Sequence, residues 1–166
     1  MAFIAEDGTG IAGANSLVPV AFADAYFADR GDESWEFALP DEKQAALIIA
    51  TDFVSHNFSF RGERKFEEQE LPFPRIIDGE KEMPSKMLKA VSEYAKRAID
   101  GVLQPDPTFD AAGRQIKSST NKLGPLSTTV TFTDFDPSKK VLPFPKADAM
   151  LSSLLTSRTN INFLVR

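Results

Sequence analysis

Apolar residues recur along this chain at two spacings, and the change from one to the other separates helical from extended segments. Between Pro19 and Arg30, the residues Phe22, Ala23, Tyr26 and Phe27 fall at i, i+1, i+4 and i+5, one stripe of a 3.6-residue repeat. Pro19 suits the opening turn of such a helix and Gly31 its C-terminal stop. A second helix is predicted from Pro40-Asp41-Glu42, where proline and acids favour an N-terminus, to about Asn57, with Ala45, Ala46, Ile49, Ala50 and Phe53 inward. A third is expected from about Pro84 to Leu103 on Leu88, Val91, Ala95, Ala98 and Val102, with Glu93 and Arg97 paired at i, i+4 on its wet side. Pro105 and Pro107 end it. The fourth, about Lys146–Thr156, puts Ala147, Met150, Leu151, Leu154 and Leu155 on one side.

Between the third and fourth helices the period falls to two. Leu126, Thr128, Val130 and Phe132 alternate with Ser127, Thr129, Thr131 and Thr133, the pattern of a half-buried strand. Gly113–Thr120 is the expected partner, across an Asn121-Lys122-Leu123-Gly124-Pro125 turn. Two strands are marginal alone, so this hairpin is expected to lean on the bundle or on a neighbouring subunit. Residues 58–83 fit neither period, and Pro72, Pro74 and Pro84 argue for a packed loop there, pinned by Phe58, Phe60, Phe66, Leu71 and Phe73. The fold class is therefore mainly α: one domain over residues 1–156, a small bundle of about four helices with an inserted β-hairpin at about 113–133, followed by an extended C-terminal arm at 157–166. That arm ends in Ile161-Asn162-Phe163-Leu164-Val165, too apolar for a solvated tail, and is expected to dock.

Composition narrows the function classes. With 166 residues, 42% hydrophobic and 26% charged, the chain has the make-up of one folded domain. No stretch approaches the roughly 20 apolar residues that span a bilayer, and Met-Ala-Phe-Ile-Ala-Glu-Asp lacks the basic start and apolar run of a signal peptide. A cytoplasmic site of synthesis and no membrane contact are expected. Zero cysteines exclude disulfides, thiolate metal sites and thiol catalysis. Charge is polarised end to end. Residues 1–42 hold nine acids against Arg30 alone, leaving -8, whereas residues 138–166 set Lys139, Lys140, Lys146, Arg158 and Arg166 against Asp148, leaving +4. Such asymmetry suits head-to-tail or partner contacts, the plainer alternative being two differently solvated surfaces.

Three motifs invite a chemical reading. Gly8-Thr9-Gly10-Ile11-Ala12-Gly13 spells the dinucleotide fingerprint, whose physics needs a strand before it and a helix N-terminus after it. A short segment precedes it and Ala14-Asn15-Ser16-Leu17-Val18-Pro19 follows, so the run reads as a glycine-rich loop that binds no nucleotide. His56, the single histidine, lies three residues after Phe53 and reads as a helix-end or core residue rather than a catalytic base. Phe58-Ser59-Phe60-Arg61-Gly62-Glu63-Arg64-Lys65-Phe66 interleaves aromatics with bases, as single-strand platforms do. Yet over Asn57–Arg75 four bases meet four acids, where phosphate binding needs a surplus. No catalytic residue, metal ligand set or cofactor site is marked, and the expectation is a non-enzymatic protein.

Several segments together resemble the head–tail adaptors, or neck connectors, of tailed bacteriophages, a group often labelled DnaT-like single-stranded-DNA-binding proteins. They are Glu6-Asp7-Gly8-Thr9-Gly10, Ala14-Asn15-Ser16, Ala23-Asp24-Ala25-Tyr26-Phe27-Ala28-Asp29-Arg30-Gly31 and Trp35. Ala45-Ala46-Leu47, Ala50-Thr51-Asp52, Phe60-Arg61-Gly62, Gln69-Glu70-Leu71-Pro72-Phe73-Pro74-Arg75 and Lys122-Leu123-Gly124-Pro125-Leu126 follow in order. The resemblance covers roughly residues 5–156. Phe73 stands where tryptophan is common in that group, and Pro19 where a small capping residue is usual. The resemblance implies a structural subunit forming a dodecameric ring beneath the portal, extending the DNA channel and joining head to tail. Implied partners are copies of the chain, the portal protein, tail or neck proteins, and packaged DNA passing without sequence-specific contact. The implied location is the neck of a virion, after synthesis in the bacterial host cytoplasm.

A heterologous ring needs two different complementary surfaces on each subunit, and the acidic first third with the basic last fifth could supply them. The arm supplies the candidate interface residues: Ile161, Phe163 and Leu164 as apolar anchors on the portal or an adjacent subunit, with Arg158 and Arg166 beside them. A single-stranded-DNA-binding module is the competing class. Its expected mark, a basic stripe, is missing from the sequence, and an acidic channel would let DNA slide without sticking.

Overall fold

Pro19 separates an N-terminal loop from the first helix. Its ring holds the backbone extended (φ -69, ψ 145), and its carbonyl accepts the amides of Phe22 and Ala23. The structure, a computed structural model, describes residues 2–104, 118–123, 126–131 and 144–156. In these, α1 spans Val20–Ala28, α2 Glu33–Glu36, α3 Pro40–Asn57, α4 Ser85–Asp100 and α5 Pro145–Leu151. The protein is mainly helical, as expected, with a small antiparallel hairpin.

Helix ends match the local signals. After α1, Gly31 adopts φ 60 while the amides of Arg30 and Gly31 close onto Phe27 and Ala28. At α3, Pro40 opens the helix and the Glu42 carboxylate accepts the Leu39 amide at 3.0 Å. Helix α2 is one turn that periodicity cannot register. Asp32 caps it by accepting the Trp35 amide, which seats Trp35 in the core at 4.9 Å from Phe27.

The buried faces depart from the expected stripes. On α3, Ala46, Leu47, Ala50, Thr51, Phe53 and Val54 are buried, while Ala45 is exposed and Ile49 is 48% exposed. The face is turned because α3 packs on α4 along one side and receives the N-terminal segment along another, where the Thr51 hydroxyl accepts the Leu17 amide at 3.0 Å. On α4 the buried set is Met87, Ala90, Val91, Ser92, Tyr94 and Ala95. Leu88 and Ala98 are half-buried, and Val102 lies beyond the helix at 72% exposure. Helix α5 stops at Leu151 rather than running to Thr156, because the chain turns away to pair with residues 59–61. Arg61 donates to the Leu154 carbonyl, Thr156 to that of Ser59, and Phe60 bridges Leu155. Ala147, Leu151, Leu154 and Leu155 are buried and Met150 half-buried.

Residues 58–83 hold more order than a packed loop. Strands β1 (Glu63–Arg64), β2 (Arg75–Ile77) and β3 (Glu80–Glu82) form an antiparallel sheet in the order β1-β2-β3. Phe58, Phe60, Leu71 and Phe73 are buried as expected, whereas Phe66 is 39% exposed. Phe53, Phe58, Phe60, Phe73, Tyr94 and Phe144 join through edge and tilted contacts at centroid distances of 5.1 to 6.4 Å. Each such ring contributes about 1.5–3 kcal/mol by burial.

The hairpin consists of β4 (Ser118–Leu123) and β5 (Leu126–Thr131), with Leu123 opposite Leu126. Asn121, Lys122 and Leu123 therefore pair in the strand instead of forming the turn. The expected strand residues 113–117, 132 and 133 lie outside the described residues, as do Pro105 and Pro107. Among the described residues no helix is long and apolar enough to cross a membrane.

Candidate functional site

The glycine run is a closed loop built around one carboxylate. Ala5 and Ser16 bridge in parallel, and the Glu6 amide donates to the Ser16 carbonyl at 2.8 Å, drawing both ends of the loop together. Glu6 is only 4% exposed. Its Oε1 accepts the amides of Gly8 (2.9 Å) and Gly10 (2.7 Å), and its Oε2 accepts that of Ile11 (2.9 Å). Gly8 and Gly10 need positive φ, 95 and 80, to aim these amides inward. A Cβ on Gly10 would also lie 2.3 Å from the Phe66 ring. Convergent amides of this kind form an anion nest, and here the chain's own carboxylate fills it. Lys65 adds a bond from Nζ to the Gly8 carbonyl at 2.6 Å. The motif is thus an internally neutralised clasp.

The aromatic and basic segment is drawn partly into the fold, while Arg61, Arg64 and Phe66 stay exposed. Phe58 and Phe60 are in the core, where no base can stack on them. The Arg75 guanidinium donates to four carbonyls: Arg61 at 2.8 Å, Phe60 at 3.1 Å, Pro72 at 3.3 Å, and Gly62. Burial, and then the charge of Arg64, lower its pKa from the ordinary value. Arg61 faces Asp78 at 3.4 Å, Arg64 donates to the Gln69 carbonyl, and Lys65 lies on the loop clasp. Gly62 has φ 76 and passes so close to the Ile76 carbonyl that a Cβ would sit 2.2 Å away.

Charged side chains elsewhere stitch the helices together. Glu93 is not paired with Arg97. It accepts the Tyr26 hydroxyl at 2.6 Å and Lys146 Nζ at 2.5 Å, tying α4 to α1 and α5. Burial, and then Glu93, push the Tyr26 hydroxyl up to about 12. Tyr94 donates to Asp148 at 2.5 Å, and the other Asp148 oxygen accepts the Phe144 amide at the start of α5. Burial raises the Asp148 carboxyl above its ordinary value despite both bonds. Burial opposes ionisation of Asp32 too, but donation from Lys96, Ser34 and the Trp35 amide outweighs it and holds this carboxyl low. Asp24 receives both Trp35 Nε1 at 2.8 Å and Lys43 Nζ at 2.9 Å. A cleft of about 380 Å³ between α4 and α5 is lined by Glu93, Lys96, Arg97 and Lys146, but these groups serve the seams just described, and Arg97 lies over the Phe144 ring. His56 is exposed at the end of α3, its Nδ1 2.7 Å from the Asp52 carbonyl. No group of three or more potential metal ligands occurs among the described residues.

What the surface offers instead is apolar. Phe37 is 78% exposed and Leu39 63%, two residues apart on the link from α2 to α3. Exposed acids flank them in the chain, Glu33 and Glu36 before and Asp41 and Glu42 after. Sequence reading missed this feature because an apolar residue next to a helix start reads as core. The available signal was Phe37-Ala38-Leu39 between two acidic pairs with no stripe to join. The candidate interface residues Arg158, Ile161, Phe163, Leu164 and Arg166 lie outside the described residues.

A family model described as "Putative DnaT-like ssDNA binding protein" matches residues 1–166. No curated protein and no solved structure matches the chain.

Proposed function

We propose that this chain, which belongs to the DnaT-like ssDNA-binding protein family, is a non-enzymatic assembly subunit: a phage neck adaptor that forms a ring under the portal and joins head to tail. One observation carries the reading. In the segment best suited by composition to hold single-stranded DNA, Phe58 and Phe60 are buried in the core and Arg75 beyond it serves four carbonyls, which leaves Arg61, Arg64 and the partly exposed Phe66 beside the exposed acids Glu63, Glu67 and Glu68. The exposed apolar pair Phe37 and Leu39 stands among acids that would repel phosphate. A surface of that kind suits protein contact. The charge polarity along the chain and the resemblance to neck adaptors point the same way. The partners are then copies of the chain, the portal protein and tail or neck proteins, with packaged DNA passing through the channel untouched by specific contacts. The place of action is the virion neck.

The second reading, a single-stranded-DNA binder, draws on the family description. Two measurements separate the readings. Purified full-length protein mixed with portal rings should co-sediment with them, and removal of Ser157–Arg166 should abolish this while the circular dichroism spectrum stays unchanged. Titrating a labelled single-stranded oligonucleotide with micromolar protein at low salt should give no anisotropy change. A salt-dependent rise in anisotropy without portal co-sedimentation would overturn the adaptor reading in favour of the binder.

A further inference from the structure

The last described residue, Thr156, and the exposed apolar pair lie near opposite ends of one helix. Thr156 donates its amide to the Ser59 carbonyl at 3.0 Å, just past Phe58, which caps the C-terminal end of α3. Leu39 caps the N-terminal end of the same helix, with Phe37 two residues before it. Helix α3 has 18 residues, which at about 1.5 Å per residue separates the two ends by roughly 27 Å. Residues 157–166 therefore start near one end of a rod whose apolar knob projects from the other.

Their chemistries match. The knob pairs two exposed apolar side chains with Glu33, Glu36, Asp41 and Glu42. The nearby cations are engaged elsewhere: Lys43 with Asp24 at 2.9 Å, and Arg30 stacked on the Tyr26 ring at 3.6 Å. Residues 157–166 carry Arg158 and Arg166, no acid, and Ile161, Phe163, Leu164 and Val165 between them. An apolar stretch bounded by cations is the complement of an apolar pair bounded by anions.

Reach decides which copy supplies the tail. At no more than about 3.6 Å per residue, Ile161 can stand at most roughly 18 Å from Thr156, well short of the far end of α3. Leu164 attains that distance only if the backbone is drawn straight. A second copy has no such limit. We propose that the C-terminal residues 157–166 of one copy dock on the Phe37–Leu39 knob of the next, with Ile161, Phe163 and Leu164 against the apolar pair and Arg158 and Arg166 toward the flanking acids. A knob at one end and a tail at the other make a heterologous, head-to-tail contact, which closes into a ring when the rotation allows. This rests on the assembly reading and names the surface that serves it.

The chain has no cysteine, so engineered thiols report one contact cleanly. Full-length Ala38→Cys and Asn162→Cys variants, purified separately and mixed with portal rings under mild oxidation, should yield a disulfide-linked dimer. Adding Phe37→Ser and Leu39→Ser to the first variant should lower the yield at least tenfold without lowering its thermal midpoint, because both side chains are already exposed and serine at the N-cap of α3 favours the helix. Absence of the dimer overturns the proposal, as does a yield indifferent to Phe37→Ser and Leu39→Ser. So does preferential closure within single chains of the doubly substituted Ala38→Cys, Asn162→Cys protein. Wild-type co-sedimentation with portal rings, measured alongside, separates failure of this contact from failure of the adaptor reading.

Discussion

Glu6→Ala tests the clasp most directly. The substitution removes an acceptor from the amides of Gly8, Gly10 and Ile11, which it holds at 2.7 to 2.9 Å. Losing a bond to a charged partner costs about 1.5–3 kcal/mol when the remaining group stays dry. These amides border solvent, since Gly8 and Gly10 are half-buried and Ile11 is exposed, so water recovers part of the loss. The expected destabilisation is about 2–4 kcal/mol, a fall in thermal midpoint of roughly 5–15 °C. Glu6→Gln keeps an oxygen for two amides but turns its NH2 toward the third, and should cost about 1–2 kcal/mol. Urea denaturation followed by the fluorescence of Trp35, the single tryptophan and fully buried, gives both values. The emptied nest should also accept a free anion. If formate binds Glu6→Ala with a dissociation constant of about 0.1 M, then 1 M formate restores about 1.4 kcal/mol relative to equimolar chloride, and restores little to the wild type. A Glu6→Ala protein within about 0.5 kcal/mol of wild type, the range of ordinary surface changes, would refute the reasoning. Equal stabilisation of both proteins by formate would refute the nest.

Three further outcomes follow from the same geometry. Because burial raises the Asp148 carboxyl, the native state holds a proton that the unfolded chain has released, so stability falls as pH rises from the ordinary 3.8 through the raised value. Asp32, held low, acts oppositely and loses its contribution as pH falls through its depressed value. Asp148→Asn should therefore flatten the decline above pH 3.8 in urea titrations, and an unchanged slope would count against a buried carboxyl there. Gly10→Ala should cost about 1–3 kcal/mol, from φ 80 and from the Phe66 ring. In a Phe66→Ala background the steric part should vanish, which a double-mutant cycle reads as coupling. Arg75→Lys should lose about 2–4 kcal/mol in the same assay, since one ammonium cannot serve four carbonyls arranged around a guanidinium fork; stability near wild type would return Arg75 to the list of phosphate-binding candidates.

How much of this was legible follows from how local each signal is. Pro40, Gly31 and Asn57 mark helix ends correctly because capping depends on a few neighbouring residues. The faces were less legible. Ile49 fits the stripe on α3 but is exposed, and Thr51 does not fit it but is buried, because the Leu17 amide arrives from 34 residues away to meet its hydroxyl. The sheet at 63–82 was invisible to periodicity, since two- and three-residue strands have no period; Arg75 and Gly62 hold it through contacts about 14 residues apart. Glu93 shows the same limit in the polar groups. Its sequence neighbour Arg97 is a sound helical partner, yet the Tyr26 hydroxyl, 67 residues distant, and Lys146 claim the carboxylate, because that face of α4 meets two other helices. The glycine run carries the argument to function. Its fingerprint asked whether an anion sits on the amides of residues 8–11, and the physics of that question was sound. The anion came from Glu6, one turn of loop away, so a motif that elsewhere recruits a ligand here closes the chain on itself, while among the described residues Phe37 and Leu39 stay exposed beside acids.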